Sequence, residues 1–300
     1  MPGMIAALIT AMAWAGSSTL FKLLSNKFDA ISLNTLSLWI GSIILISFTF
    51  LSGRGSALID TPANAFLMVA ASGLISMVIG DTVYLRSLSF IDVSRAFPIA
   101  LCAFPVLSTF VVVLLLAEAF AWYNIIGAVA VVTGIYLITT AGRKKTASPK
   151  QDTTNRADVK GVMLALTAAV FWTLSTVLLT IGVVNTDPLT AAVIRVPVAT
   201  IALTGVSIIR SKGEIFNLKK YGWKNMAVVA VTGVLTYGVA SVSYVTALQL
   251  VGAGRTVLIT AIAPIFVLLL SIFFLKEKPT IYTVTGALTS ILGVSLISMR

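Results

Sequence analysis

Histidine, cysteine and charge are scarce in this 300-residue sequence, which has no histidine, one cysteine and 10% charged residues. Without histidine, the commonest metal ligand and the usual general base are missing. One cysteine excludes a disulfide framework and a multi-cysteine metal site. Soluble globular domains carry about 25% charged residues, so this chain has too little polar surface for an ordinary soluble enzyme. The sequence therefore predicts neither an enzyme nor a bound cofactor or metal.

Hydrophobic residues make up 58% of the chain, and the mean hydropathy is +1.03. So apolar a chain cannot stay disordered and solvated. A membrane-spanning helix needs about 20 apolar residues, and the apolar runs here are continuous rather than alternating as in the strands of a membrane β-barrel. We predict an all-α integral membrane protein with ten transmembrane helices, at residues 4–24, 31–51, 65–88, 93–116, 122–141, 159–183, 188–209, 225–249, 254–276 and 279–298.

The net charge of +11 could indicate a nucleic-acid-binding protein. The basic residues, however, cluster between the apolar runs without interleaved aromatic residues, so no nucleic acid is expected. In the ten-helix prediction, the side holding both termini carries Arg54, Arg255 and Arg300, and the opposite side carries seventeen basic residues. Because positive residues accumulate in cytoplasmic loops, we predict a cell-membrane protein with both termini extracytoplasmic.

Two halves of the chain resemble each other when one is shifted along the other by 158 to 160 residues. The matched pairs include Trp14 with Trp172, Ser17 with Ser175, Asp29 with Asp187, Gly73 with Gly233, Tyr84 with Tyr244, Arg95 with Arg255, Pro105 with Pro264 and Glu118 with Glu277. We predict a first repeat at 1–141, a polar linker at 142–158 and a second repeat at 159–300. Five helices are an odd number, so the second repeat would have inverted topology, which is typical of alternating-access carriers.

Charged residues inside apolar spans are functional candidates because they are costly there. Asp81 and Arg95 stand about seven residues on either side of the turn near Leu88, so we expect them to pair. Asp81 would be either the acid that exchanges a coupling proton or one partner of a permanent structural ion pair. Arg255 is expected to bind a substrate carboxylate or phosphate, or alternatively to reach the headgroups. Arg195 is expected to make an interhelical structural contact.

Aromatic and hydroxyl residues near the middle of several predicted helices are candidates for a substrate-binding cavity. They are Trp14, Ser17, Tyr84, Trp172, Ser175, Tyr237 and Tyr244. The aromatic residues could equally pack in the core or face lipid. Each serine follows its tryptophan by three residues on the same helix face, and it could instead bond to a carbonyl of its own helix.

A family resemblance follows from the pattern of each half: a Trp in the first helix, Y-x-x-x-L ending the third, an Arg opening the fourth, then Pro, L-x-E and a Gly-rich fifth helix. With the stretches GDTVYLRSLSFIDVSRAFPI and PIFVLLLSIFFLKEK, the chain resembles the EamA-like family of the drug/metabolite transporter superfamily in its ten-helix form. The resemblance implies a secondary carrier, mostly an exporter of amino acids, metabolites or drugs, with a central cavity between helices 1, 3, 4, 6, 8 and 9. It departs from the family pattern where Ser37 is the counterpart of Arg195.

We therefore expect a secondary active transporter that works by alternating access, with a small-molecule substrate and the lipid bilayer as its partners. Protons are the candidate coupling ion, and a monomer would suffice because one chain holds both halves. The alternatives from other classes are a channel and a non-transport membrane scaffold or regulatory protein. The absence of a charge ring or a carbonyl-filter signature argues against the channel.

Overall fold

A computed structural model describes residues 1–116, 122–140, 150–184, 186–211 and 221–297, and they form thirteen α-helices and three π-helical segments. The elements are α1 (Pro2–Leu24), α2 (Ala30–Leu51), α3 (Ser56–Ile59), α4 (Ala63–Gly73), π1 (Leu74–Gly80), α5 (Asp81–Ser87), α6 (Val93–Leu116), α7 (Trp122–Thr140), α8 (Lys150–Gly182), α9 (Pro188–Ser211), α10 (Trp223–Gly233), π2 (Val234–Val239), α11 (Ala240–Thr260), α12 (Ala263–Leu270), π3 (Ser271–Leu275) and α13 (Ile281–Ile297).

The ten predicted segments are almost entirely helical over their described residues, apart from a turn at Ala261, and their ends agree within a few residues, with one exception. Helix α8 begins at Lys150, nine residues before the predicted start and inside the predicted linker. The remainder of that linker, 142–149, lies outside the described residues, as does Glu118. A short helix, α3, also forms in a predicted loop.

Among the described residues, six helical stretches are long and apolar enough to cross a membrane: Pro2–Leu24, Ala30–Leu51, Ala63–Ser87, Arg156–Gly182, Pro188–Arg210 and Trp223–Ala253. Four shorter apolar helices accompany them, at Val93–Leu107, Ile125–Thr140, Ala263–Leu275 and Ile281–Ile297. Many large hydrophobic side chains on these helices are exposed, including Phe48 and Phe50. Such a surface suits lipid rather than water.

Two matched aspartates begin matched helices. Asp29 accepts hydrogen bonds from the backbone N–H groups of Ile31 and Ser32, each at 3.2 Å, at the start of α2. Asp187 accepts from Leu189 and Thr190 at 3.1 and 3.2 Å, at the start of α9. Each carboxylate satisfies backbone donors that the first helical turn leaves free.

Helices α7 and α13 meet along a seam of glycines. A Cβ atom added to Gly127 would lie 2.6 Å from the carbonyl oxygen of Gly293, and one added to Gly286 would lie 2.6 Å from that of Gly134. Side chains larger than hydrogen would therefore separate the two backbones. Small residues bring membrane helices close in this way. In each helix the two glycines are seven residues apart, so they lie on one face.

The long spans pack across the two halves of the chain, α1 against α11, α6 against α8 and α2 against α9. Between α2 and α9, the hydroxyls of Ser42 and Thr200 lie 2.6 Å apart. The π segments π1 and π2 interrupt matched spans. A π-turn widens the helix and often marks a functional site, and π1 ends one residue before Asp81.

Candidate functional site

A cavity of about 120 Å³ lies between the two halves of the chain. An apolar cavity of about 150 Å³ can hold a benzene molecule, so this one has the size of a small organic group. Its lining consists of Trp14, Ser17, Ser18 and Phe21 from α1, Ser76 and Met77 from π1, Asp81, Tyr84 and Leu85 from α5, Phe97, Leu101 and Phe104 from α6, Trp172, Ser175 and Thr176 from α8, Arg195 from α9, Thr236 and Tyr237 from π2, and Ala240, Ser241 and Tyr244 from α11.

Seven of the residues predicted to bind substrate line this cavity: Trp14, Ser17, Tyr84, Trp172, Ser175, Tyr237 and Tyr244. Two aromatic pairs form across the halves. The rings of Trp14 and Tyr244 are 5.2 Å apart with an interplanar angle of 45°, and those of Tyr84 and Trp172 are 5.4 Å apart at 49°. The second pair repeats the geometry of the first with the matched residues exchanged, so the cavity has two nearly equivalent aromatic walls.

The serines make bonds of both expected kinds. Ser17 donates to the carbonyl of Trp14 in its own helix at 3.2 Å. Ser175 donates to the carbonyl of Ser72 in the other half of the chain at 2.8 Å.

Asp81 lines the cavity and is held by residues of the second half. Its Oδ1 accepts a hydrogen bond from the Trp172 indole N–H at 2.8 Å, and its Oδ2 lies 2.9 Å from the Tyr237 hydroxyl. That hydroxyl also contacts Oδ1 of Asn34. The amide of Asn34 donates to the Met77 carbonyl at 2.7 Å and to the Thr82 hydroxyl at 2.8 Å. A chain of hydrogen bonds therefore links α2, π2, α5 and α8.

Arg195 is the cation of the cavity and is 5% exposed. Its Nη2 donates to the Ser76 hydroxyl at 3.1 Å and lies 3.5 Å from that of Ser175, which confirms the predicted interhelical contact. Gly73 permits this placement, because a Cβ atom there would lie 2.7 Å from the Arg195 carbonyl oxygen. Within the described part of the chain, Nε of Arg195 has no hydrogen-bond partner.

Arg95 does not pair with Asp81, so that prediction was wrong. Its Nη1 donates to both carboxylate oxygens of Asp158 at 3.3 and 3.2 Å. Its Nε and Nη2 donate to the carbonyls of Ile138 and Thr139. The turn after α5 extends to Asp92, so Arg95 is only two residues beyond the first residue of α6. Asp81 lies six residues before the end of α5. The two side chains are therefore at different depths.

Arg255 is exposed and is not among the residues that line the cavity. The backbone leaves the helical conformation at Gly252, with φ 80° and ψ 163°. This break puts Arg255 at the beginning of a new helical stretch, away from the aromatic walls. The predicted ninth helix, 254–276, likewise contributes no described lining residue. The predicted seventh helix, which is α9, was not in the expected set but contributes Arg195.

The side chains of these networks that were not predicted from the sequence include Asn34, Ser76, Thr82 and Asp158. Asn34 carries a signal, because it is a fully buried amide in an apolar helix, and such a group must find partners. Ser76 looks like any helical serine. Asp158 sits in the stretch predicted to be linker, so it was not considered as a partner. No group of three or more acidic, cysteine or histidine side chains suited to a metal ion occurs among the described residues.

Comparison with known proteins gives a consistent result. The sequence model of the EamA-like transporter family matches residues 1–140 and 159–299. Two proteins of Archaeoglobus fulgidus, each named an uncharacterized transporter, are similar in sequence. One is 32% identical over 139 residues, which are 46% of this chain and 47% of the relative, about half of either protein. The other is 23% identical over 232 residues, covering 77% of this chain and 75% of the relative.

A crystal structure of a protein matches the fold with a TM-score of 0.69 and covers 99% of this chain and 95% of its own. At 16% sequence identity, this likeness concerns the fold alone.

Proposed function

The chain belongs to the EamA-like transporter family and is a multi-pass membrane protein, and from this premise we propose that it is a secondary active transporter of small organic solutes. The observation that carries the proposal is the cavity between the two halves. Its walls are aromatic, and its interior holds one carboxylate, one guanidinium and several hydroxyls. Apolar walls with a few convergent polar groups are the usual form of a small-molecule site.

We propose that the ten predicted helices all span the membrane and form two inverted repeats, 1–141 and 159–300. The exchange symmetry of the Trp14–Tyr244 and Trp172–Tyr84 pairs supports two equivalent halves. Matched glycines support it as well, since Gly73 packs on the backbone of Arg195 and Gly233 packs on that of Ser37, the counterpart of Arg195. Two equivalent halves can exchange conformations and so open the cavity to either side in turn.

Asp81 is proposed as the coupling acid, with the proton as coupling ion. It lines the cavity, accepts a hydrogen bond from the Trp172 indole and lies 2.9 Å from the Tyr237 hydroxyl of π2, so its protonation would change contacts between the halves. Arg195, rather than Arg95, is the cation whose charge acts on it. A charged acid at membrane depth must be compensated or protonated.

The charge distribution orients the proposed carrier in the cell membrane with both termini outside. Thiol labelling of a Ser148→Cys variant, in a Cys102→Ser background, tests the orientation. Membrane-impermeant reagent should fail to label it in intact cells and should label it in inverted vesicles. Labelling from outside intact cells would overturn the topology.

The function is tested by counterflow in proteoliposomes with the purified full-length protein. A panel of unlabelled amino acids, organic acids, amines and aromatic metabolites is loaded inside, and transient accumulation of each labelled counterpart is recorded. A carrier gives saturable counterflow, whereas a channel gives unsaturable equilibration and a scaffold gives none. Trp172→Ala should abolish counterflow, and Trp223→Ala, an exposed tryptophan outside the cavity, should not.

A further inference from the structure

The hydrogen bonds around Tyr237 show which of its neighbours can donate a hydrogen and which can only accept one. Asn34 is oriented by its Nδ2 group, which donates to the Met77 carbonyl at 2.7 Å and to the Thr82 hydroxyl at 2.8 Å. A reversed amide would place two carbonyl oxygens against each other. Therefore Oδ1 of Asn34 faces the Tyr237 hydroxyl and can only accept.

Tyr237 then has two oxygen neighbours and one hydrogen to give. Its hydroxyl contacts Oδ1 of Asn34 and lies 2.9 Å from Oδ2 of Asp81. If Asp81 were ionised, both neighbours would be acceptors, and one contact would have no hydrogen. A proton on Oδ2 of Asp81 completes the chain, so this arrangement corresponds to the proton-loaded form of the site, in which Asp81 donates to Tyr237 and Tyr237 donates to Asn34. The Trp172 indole still donates to Oδ1.

The cavity also contains polar groups without partners. Among the residues that the structure describes, the Nε of Arg195 and the hydroxyls of Thr236 and Ser241 have no hydrogen-bond partner, and all three residues line the cavity. The indole nitrogen of Trp14 makes no hydrogen bond to a described residue either. Guanidinium and indole N–H groups can only donate, and the hydroxyls can donate as well. The residues that line the cavity therefore hold unpaired donors, and the positive charge of Arg195 suits an anionic acceptor.

We infer that the cavity binds an organic carboxylate with a flat apolar body beside Arg195 and carries it together with a proton on Asp81. This inference rests on the proposed transport function and specifies its substrate class and coupling. The carboxylate accepts from the Arg195 guanidinium on one side, and the planar body lies between the Trp14 and Trp172 walls. An amine is disfavoured, because the Arg195 guanidinium already places one positive charge in the cavity.

Charge balance explains why the two would move together. The other charged or titratable groups around Asp81 are Arg195 from α9, Tyr84 from its own helix, Tyr237 from π2 and Tyr244 from α11. With Asp81 ionised and no substrate, Arg195 and Asp81 cancel. With Asp81 protonated and a carboxylate bound, Arg195 and the substrate cancel. A proton alone or a carboxylate alone leaves a net charge inside the membrane, which is costly.

Three probes that share a phenol ring test the head-group preference in reconstituted vesicles: 4-hydroxybenzoate, 4-hydroxybenzamide and tyramine. Between about pH 6 and pH 8 the aryl carboxylate stays anionic and the phenol neutral. We expect 4-hydroxybenzoate to exchange with an affinity at least roughly tenfold above that of the neutral and cationic probes, since a charge-assisted bond is lost in both. Protein-free vesicles provide the correction for passive diffusion.

Coupling is tested by following internal pH during net 4-hydroxybenzoate uptake. One proton should enter with each anion, and a membrane potential set with valinomycin and potassium should leave the rate unchanged. Asp81→Asn should keep exchange of 4-hydroxybenzoate but lose net uptake, because the empty form of this variant retains the uncompensated Arg195 charge. Arg195→Lys keeps the charge and removes Nε, and it should weaken 4-hydroxybenzoate exchange by roughly tenfold or more while the thermal unfolding temperature stays near that of the wild type.

A preference for tyramine, or uptake that follows membrane potential without proton movement, would overturn the inference. So would failure of all three probes while another solute of the counterflow panel is exchanged, and in that case the transport proposal stands. If no solute of the panel gives counterflow, the transport proposal itself fails. The wild-type measurements decide the inference even if a variant does not fold.

Discussion

Asp81 and Ser241 occupy matched positions in the two halves, one residue beyond π1 and two residues beyond π2. The helices around them are matched, but the side chains that surround them differ. Beside Asp81 stand Trp172, Tyr237 and the charge of Arg195. In the alignment of the two halves, Trp172 corresponds to Trp14, Tyr237 to Met77 and Arg195 to Ser37, so the second residue of each pair stands on the Ser241 side. The aromatic wall is retained, and the charges and the tyrosine are absent. Both charged side chains that line the cavity, Asp81 and Arg195, thus stand on one side of the pseudo-symmetric backbone, and the Ser241 side has no charged counterpart.

Arg95 and Arg255 show the same divergence at the helix ends. Arg95 is buried and ties α6 to Asp158 of α8 and to the end of α7. Arg255 is exposed. Sequence matching between halves therefore predicts equivalent backbone positions, whereas the partner of a side chain depends on residues that the other half need not share.

The largest effect is expected from removing the cation on the charged side of the cavity. Arg195→Leu should destabilise the protein by about 3–5 kcal/mol, because it leaves Asp81 without a compensating charge. Adding Asp81→Asn should restore part of the loss. Thermal unfolding in detergent measures both, with the exposed Arg210→Gln on the same helix as the control. An unchanged unfolding temperature in Arg195→Leu would mean that the charged groups on the Asp81 side of the cavity add no stability that the Ser241 side lacks.

The two matched arginines should respond unequally. Arg95→Gln should cost about 1.5–3 kcal/mol, since it breaks charge-assisted bonds to Asp158. Arg255→Gln, a surface change, should stay within about 0.5 kcal/mol of the wild type. Asp158→Asn should reproduce part of the Arg95→Gln loss. Equal losses in the two arginine variants, measured by thermal unfolding, would contradict the assignment of Arg255 to the exposed surface.

Matched glycines, in contrast, should respond equally. Gly73→Ala brings a methyl group against the Arg195 backbone, and Gly233→Ala brings one within 2.5 Å of the Ser37 carbonyl oxygen. Each should cost about 1–3 kcal/mol through overpacking. Gly205→Ala is the control, because a Cβ atom there meets no other atom within 4 Å, and it should be neutral or stabilising in a helix. A loss in only one of the two matched variants, measured by thermal unfolding, would break the backbone equivalence.

The smallest effect concerns a helix cap that joins the halves. Glu277 accepts hydrogen bonds from the backbone N–H groups of Val93 and Ser94 at 3.1 and 3.2 Å, at the start of α6. Glu277→Ala should cost about 0.5–2 kcal/mol, the usual effect of losing a cap. The neighbouring exposed Lys278→Ala should have no measurable effect. If Lys278→Ala lowers the thermal unfolding temperature more than Glu277→Ala does, the Glu277 cap does not stabilise the contact between the halves.

Helix positions were largely predictable because apolar runs of spanning length and capping aspartates are local signals. The early start of α8 at Lys150 was not predicted, since its first turns are polar and were assigned to a linker. Among the cavity residues, Trp14, Tyr84, Trp172 and Tyr244 were predicted because they recur at matched positions. Asn34 and Ser76 do not recur in that way.

By itself, the sequence determined the helical architecture, the membrane setting and the resemblance between the halves, because hydrophobic run length and repeat spacing are properties of the linear chain. Only the tertiary structure decided which charged groups meet. Asp81 contacts Trp172 and Tyr237, which are 91 and 156 residues away in sequence. Residue counting estimates the depth of a side chain in a membrane helix. It does not give the direction of that side chain around the helix axis, which is set by how the helices pack.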